Sequence, residues 1–176
     1  MIKMARATLS LLVFGLLGIS LPSATRAADD AKVEPKEAFS KLKSLAGEWT
    51  GEVGKGQPPS KVVYRLISNG SVVMETLFPN TAHEMVTMYM LDGDELRLTH
   101  YCAAGNQPKL KLDAKSSTPD KLEFIFEGGT NFDPAKDMHM HSGRIAFKDK
   151  NHIEAEWDGY SDGKKTGTNK FVLSRP

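Results

Sequence analysis

The chain has 176 residues, which is enough for one domain of about 150 residues and a short appendage. It carries 23 Lys and Arg residues against 22 Asp and Glu, for a formal net charge of +1. This balance gives no electrostatic reason to expect nucleic acid or an anionic membrane surface as the main partner. A single cysteine, Cys102, excludes an intramolecular disulfide framework and a multi-cysteine zinc module.

The first 27 residues have the layout of a secretory signal peptide. Lys3 and Arg6 form a basic start, residues 9–21 form an apolar run, and a small-x-small cleavage site ends at Ala27. An uncleaved anchor is the alternative, although the apolar run is shorter than the roughly 20 residues that cross a bilayer. We therefore predict a signal peptide over 1–27, a polar lead over 28–35 and a domain over 36–176. The mature protein is predicted to be periplasmic or secreted, with no membrane span.

One short helix precedes a long series of strands. Phe39, Leu42 and Leu45 recur every three residues after Pro35, which predicts an amphipathic helix over 36–44. Beyond the helix, apolar and polar residues alternate with the period of two that is typical of half-buried strands. Turn sequences separate these runs at Asn69-Gly70, Asp92-Gly93, Gly128-Gly129 and Asp162-Gly163. The predicted strands are 48–53, 61–68, 71–78, 84–91, 95–102, 109–115, 121–127, 138–147, 152–157 and 168–174.

Short strands that follow one another through tight turns, without crossover helices, indicate an antiparallel meander. The alternation favours a closed barrel whose interior is either filled or hollow. We predict an all-β fold, a single up-and-down barrel of eight to ten strands over 45–175, with the helix closing one end. Phe39, Leu42 and Trp49 are expected to meet at that end. The absence of an internal repeat argues against a propeller.

The residues around Trp49 carry a resemblance. The sequence Leu45-Ala-Gly-Glu-Trp49 places Gly-x-Trp at the start of the first strand, directly after the helix. This arrangement resembles the calycin group, which includes lipocalins, fatty-acid-binding proteins, avidins and haem-binding nitrobindins. The chain also resembles uncharacterised secreted bacterial proteins that share the blocks HEMVT (83–87), THYCAAGNQP (99–108), DPAKD (133–137) and HMHSG (139–143). The resemblance implies a calycin-like barrel but assigns no activity, and the chain lacks a histidine after His152, where nitrobindins have their haem ligand.

Hairpin geometry predicts which side chains face the interior. Two residues that face each other across the Asp92-Gly93 turn have residue numbers whose sum is odd. One face of this hairpin is therefore predicted to contain Met85, Thr87, Tyr89, Leu91, Leu96, Leu98, His100 and Cys102. The Asn69-Gly70 turn groups Val62, Tyr64 and Leu66 with Val73, Glu75 and Leu77, although the opposite face is also apolar. The same parity brings His139 and His141 inward with Ile145, unless Gly143 makes a bulge. Further inward residues are Leu122, Phe124, Phe126, Phe147, Ile153, Ala155, Trp157, Phe171 and Leu173.

A polar group inside an apolar barrel needs a partner, water or a ligand, because burying it alone costs about 1–3 kcal/mol. The leading interpretation is therefore a binding protein for a small apolar or amphipathic molecule. The apolar lining would supply affinity, while His100, Tyr89 and His141 would orient a polar head group. Asn106 and Gln107 lie in a predicted loop at an open end and could bind the ligand through their amides. The candidate ligand-binding residues are His100, Tyr89, Cys102, His139, His141, Glu75, Asn106 and Gln107.

Two further interpretations use the same histidines. His139 and His141 lie on one face of a strand, about 6.5–7 Å apart at the backbone, and could bind a metal ion with His100 as a third ligand. Haem is a narrower version of ligand binding, with an inward histidine as axial ligand. The alternative is that these histidines hydrogen-bond to carboxylates and water at the barrel mouth.

The competing class is an enzyme that uses metal-activated water or a histidine general base. Glu75 is the carboxylate placed in the apolar interior, where burial is expected to raise its pKa. Cys102 could act as a nucleophile beside His100, or be a buried structural thiol. The chain contains no Gly-x-Ser-x-Gly sequence, phosphate-binding glycine loop or metalloprotease helix motif.

Overall fold

The computed structural model describes residues 32–53 and 58–175. The predicted signal peptide lies outside these residues. The one α-helix within them, α1, spans Pro35–Lys43 and begins at a proline, whose fixed φ suits the first helical turn. Ala38, Phe39 and Leu42 are its buried residues, so one apolar face of the helix packs on the barrel. No helix in the described part of the chain is long and apolar enough to span a membrane.

Ten antiparallel strands in these described ranges form a closed barrel. Each strand pairs with its neighbours in sequence, and the first pairs with the last. This closed antiparallel barrel confirms the predicted fold class. A meander that closes on itself leaves no unpaired sheet edge. The strands are β1 (Gly47–Val53), β2 (Ser60–Ile67), β3 (Val72–Leu77), β4 (Met85–Asp92), β5 (Glu95–Tyr101), β6 (Gln107–Leu112), β7 (Lys121–Thr130), β8 (His139–Phe147), β9 (His152–Ser161) and β10 (Lys164–Ser174).

The strand register confirms the faces that hairpin parity predicts. Thr87 pairs with His100 across β4 and β5, and Tyr64 pairs with Glu75 across β2 and β3. All four side chains are buried in the barrel interior. Leu66 differs from the prediction, because it lies near the end of β2 beside the turn and is 45% exposed.

One end of the barrel is closed by α1 and by Trp49. Phe39, Leu42 and Trp49 are all buried and belong to one hydrophobic core, as the sequence predicts. The indole nitrogen of Trp49 donates a hydrogen bond to the Leu45 carbonyl at 2.8 Å. The Arg175 guanidinium lies 4.5 Å from the Trp49 ring and donates hydrogen bonds to carbonyls that include those of Ser44 and Ala46. These contacts join the segment after β10 to the segment around the start of β1, at the closed end of the barrel.

At the opposite end, a bulge changes the course of β8. The register with β9 shifts between Met140 and Ser142, so His141 is an extra residue without a partner of its own in the ladder. Next to the bulge, Gly143 faces Trp157, and a Cβ at this glycine would lie inside the indole ring. Glycine at 143 therefore lets Trp157 lie flat against β8, where it forms part of the interior wall.

Candidate functional site

A cavity of about 340 Å³ lies inside the barrel at the end away from Trp49. This volume is at the lower end of the range of roughly 300–1,000 Å³ that is usual for small-molecule pockets. The middle of the barrel below it is filled by large side chains such as Tyr64, Tyr89 and Phe124. The lining residues are Val53, Leu77, Phe78, Met85, Thr87, His100, Cys102, Ala103, Ala104, Met138, His139, Met140, Trp157, Asp158, Gly159, Asn169 and Phe171.

The cavity wall is mostly apolar. Trp157, Phe171 and Leu77 are buried strand residues of the wall, and Met85 and Met140 are half-buried. Ala103 and Ala104 come from the β5–β6 loop and are exposed, so they lie at the rim. Apolar walls with few polar groups are typical of sites in which burial supplies affinity and a polar contact orients the ligand.

Beneath the cavity, a buried carboxylate is held by hydroxyl groups. The Tyr64 hydroxyl donates a hydrogen bond to Glu75 Oε1 at 2.6 Å, and the Tyr89 hydroxyl donates one to Oε2 at 3.0 Å. Thr87 lies directly opposite Glu75 in the β3–β4 register, and its hydroxyl lies 3.0 Å from His100 Nδ1. Glu75 is 1% exposed, and its contacts in the described chain are all hydroxyls, with no cation among them. The two phenol donors offset part of the cost of burying this group.

Burial determines the acid–base behaviour of this cluster. Desolvation raises the pKa of Glu75, and the hydrogen bonds from Tyr64, Thr87 and Tyr89 oppose that rise. Burial, together with the nearby Glu75 charge, raises the pKa of both tyrosines well above the usual range. Tyr64 and Tyr89 therefore stay protonated at neutral pH and remain available as donors to Glu75.

His100 connects this cluster to the cavity. Its Nδ1 lies 3.0 Å from Thr87 Oγ1, and both residues are buried and line the cavity. Desolvation lowers the pKa of His100 to about 4, so its imidazole is neutral at physiological pH. Glu75, Thr87 and His100 thus form a continuous chain of polar groups from the filled part of the barrel to the cavity floor.

His139 and His141 contact each other and the surrounding aromatic rings. His139 Nδ1 lies 2.9 Å from the Asp137 carbonyl, which can only accept, so this nitrogen carries the proton. His139 Nε2 lies 3.0 Å from His141 Nδ1, and the His141 ring stacks on Tyr160 and Phe126. Burial and the neighbouring His139 lower the pKa of His141, while Asp158 opposes the shift.

The predicted site residues other than Asn106 and Gln107 fall into three groups. His100, Cys102 and His139 line the cavity. Glu75 and Tyr89 lie buried beneath it, and His141 is half-buried outside its lining because the β8 bulge displaces it from the wall. Of the three residues predicted to orient a polar head group, only His100 lines the cavity.

The two amides predicted to bind ligand form hydrogen bonds to neighbouring backbone and side chains: Asn106 lies in the β5–β6 loop, and Gln107 is the first residue of β6. Asn106 is buried and donates from Nδ2 to the Met138 carbonyl at 2.6 Å. Gln107 donates to the Gly105 carbonyl and accepts a hydrogen bond from Thr130. Neither residue belongs to the cavity lining, so both act here in holding the loops around the opening.

No three His, Cys, Asp or Glu side chains in residues 32–53 and 58–175 are grouped so that they could hold one metal ion. His100 is on β5, and its hydrogen bond is to Thr87 rather than to either β8 histidine. The three-histidine metal site and haem binding stay predictions. Cys102 is half-buried, and its Sγ lies 4.0 Å from the Met85 thioether.

Two important residues received no role in the sequence analysis. Thr87 and Tyr64 are both predicted to face inward, but unlike Glu75 and Tyr89 they are not among the candidate ligand-binding residues. The signal was in the register, because Tyr64 opposes Glu75 and Thr87 lies between Glu75 on β3 and His100 on β5. A buried carboxylate needs donors, and the residues directly opposite it in the sheet are the ones that can supply them.

Comparison with known proteins assigns no family, because no family model and no curated protein matches the chain. Ten antiparallel strands with a short helix before the first strand form a closed barrel that is consistent with a calycin-like fold.

Proposed function

We propose that the protein is a secreted or periplasmic binding protein that holds one small apolar or amphipathic molecule in the open-end cavity of its barrel. The observation that carries the proposal is the cavity of about 340 Å³, which has an apolar wall and polar groups at its floor. The filled barrel centre limits the ligand to a compact molecule, because the large side chains of Tyr64, Tyr89 and Phe124 are fully buried below the cavity. The signal-like N-terminus supports the location.

An acid–base enzyme is less well supported by the same residues. A general base works best when its pKa is near the working pH, whereas burial holds the pKa of His100 at about 4. Glu75 is enclosed by hydroxyl groups and does not line the cavity, so it has no direct access to a substrate there. Binding requires only the cavity and its orienting groups.

Calorimetric titration with methylnaphthalene, an uncharged bicyclic molecule, tests the proposal. We expect one molecule to bind per chain, because the probe is apolar and small enough to be enclosed by an apolar wall. Met85→Trp replaces a thioether side chain of the cavity wall by a larger indole ring, and it is expected to lower the affinity for methylnaphthalene at least tenfold. Met85 is half-buried, which allows the larger side chain to be accommodated at the wall.

The matched control is Met88→Trp, the same substitution on the same strand. Met88 lies on the outer face of β4, between the inward residues Thr87 and Tyr89, and is not part of the lining. The affinity of the Met88→Trp variant for methylnaphthalene should stay at the wild-type level. Equal affinity in both variants would place the probe elsewhere on the protein and contradict the proposal, as would a wild-type protein that does not bind.

A further inference from the structure

Two sulfur atoms lie close together on the cavity wall. The β4–β5 register pairs Val86 with Tyr101, which brings the neighbouring residues Met85 and Cys102 side by side at the open end of the barrel. Cys102 Sγ lies 4.0 Å from Met85 Sδ, and both residues line the cavity. Cys102 is the one cysteine of the chain, so its thiol has no disulfide partner there. The wall therefore presents a thiol and a thioether together.

The separation of the two sulfurs matches that of two ligands on one metal ion. A metal–sulfur bond is about 2.3 Å long, so two sulfurs on one ion lie between about 3.8 Å apart in tetrahedral geometry and about 4.6 Å apart in linear geometry. The observed 4.0 Å falls within this range. The thiol donates a weak hydrogen bond to the thioether, and a metal ion can replace that proton without a large movement of either side chain.

His100 supplies a third donor beside the two sulfurs. It lies two residues before Cys102, lines the cavity and is 4% exposed. Its Nδ1 lies 3.0 Å from the Thr87 hydroxyl, which can accept as well as donate, whereas Nε2 has no hydrogen-bond partner within residues 32–53 and 58–175. Nε2 is not among the fully buried atoms without a partner, so it keeps accessible surface, and that surface faces the cavity. An imidazole held through one nitrogen and open at the other is the usual arrangement of a metal-binding histidine.

The ligand set selects a soft ion. His139 also lines the cavity, but its two nitrogens contact the Asp137 carbonyl and His141. The lining carboxylate of Asp158 forms an ion pair with Lys165 at 2.7 Å. Calcium and magnesium prefer oxygen ligands, whereas thiolate and thioether sulfurs select Cu(I).

We propose that the barrel binds one Cu(I) ion between Cys102 Sγ and Met85 Sδ, with His100 Nε2 as the third ligand. Binding releases the thiol proton to solvent, and the thiolate then neutralises the single positive charge of the ion. No net charge is therefore buried in the apolar wall. The inference goes beyond the proposed function and does not depend on it, because the site needs no organic ligand.

The ligand set can be measured in the wild-type protein. Anaerobic titration with Cu(I) against the competing chelator bicinchoninate should show one Cu(I) per chain. X-ray absorption at the copper edge should show two sulfurs at about 2.3 Å and one nitrogen at about 2.0 Å. In ¹³C-methyl-methionine spectra, the Met85 signal should shift with one equivalent of Cu(I), while that of Met88 on the outer face of β4 should not. Copper coordinated by nitrogen and oxygen alone, or no binding, would overturn the inference without requiring any variant to fold.

Two substitutions test the sulfur pair. Met85→Leu removes the thioether but keeps an apolar side chain of similar size, and Cys102→Ser removes the thiol. We expect each to lower the affinity for Cu(I) at least tenfold, because each removes one ligand.

Met88→Leu is the matched control, since it makes the same change on the same strand outside the cavity, and it should bind Cu(I) like the wild-type protein. Wild-type affinity in the Met85→Leu variant would mean that the thiol binds copper without the thioether, and would refute the proposed site. Wild-type affinity in the Cys102→Ser variant would refute it equally, because copper would then be bound elsewhere.

Discussion

Replacing Glu75 by alanine is expected to destabilise the protein by about 2–6 kcal/mol. The substitution leaves the hydroxyls of Tyr64 and Tyr89 without their acceptor in the barrel interior, and each stranded group costs about 1–3 kcal/mol. The side-chain volume lost at a fully buried position adds to this cost, while removal of the buried carboxylate offsets part of it. Urea unfolding at pH 7.5, followed by tryptophan fluorescence, measures the free energy of unfolding.

Glu75→Gln is the matched control, because it keeps the shape of the side chain and one acceptor oxygen. Its amide can also donate to a tyrosine oxygen, so both phenols keep a partner. We expect its free energy of unfolding to stay within about 1.5 kcal/mol of the wild-type value, the net worth of one hydrogen bond. An alanine variant as stable as the glutamine variant would show that the hydroxyl cluster does not depend on Glu75.

Acidification is expected to destabilise the wild-type protein through His100. Burial lowers the pKa of His100 in the folded protein from 6.5 to about 4. Between these values the unfolded chain binds a proton that folded His100 does not, so the free energy of unfolding falls as the pH decreases. By pH 4.5 this loss reaches about 2–3 kcal/mol, since each pKa unit is worth about 1.4 kcal/mol.

The contribution of His100 is isolated by comparison with His100→Gln, because every other titrating group is common to both proteins. From pH 7.5 to pH 4.5 the wild-type protein should lose about 2–3 kcal/mol more than the variant does. Chemical unfolding at a series of pH values measures this difference. Parallel stability curves would mean that folded His100 titrates like an exposed histidine, which its position on the cavity floor contradicts.

The register could be derived from the sequence because short turns fix it. The Asp92-Gly93 turn determines which residues of β4 and β5 oppose each other, and parity then places Thr87, Tyr89 and His100 inside. The Gly-x-Trp sequence after the helix likewise identified the closed end, where Trp49 is buried.

The contents of the site could not be derived in the same way. His141 leaves the wall because the bulge falls between Met140 and Ser142, whereas the sequence placed a potential bulge at Gly143. The cavity boundary also depends on how Trp157 packs over Gly143, which period-two alternation does not encode. Arg175 is far from Trp49 in sequence, and only closure of the barrel brings the two together.

The methionine methyl groups provide the most direct test of the cavity as a binding site. Met85, Met138 and Met140 line the cavity, whereas Met74, Met88 and Met90 lie on the outer faces of β3 and β4. In a titration of ¹³C-methyl-methionine protein with methylnaphthalene, we expect the signals of the three lining methionines to shift and to saturate at one equivalent. The signals of the three outer methionines should not shift. Shifts confined to the outer methionines, or no shifts at all, would contradict ligand binding inside the barrel.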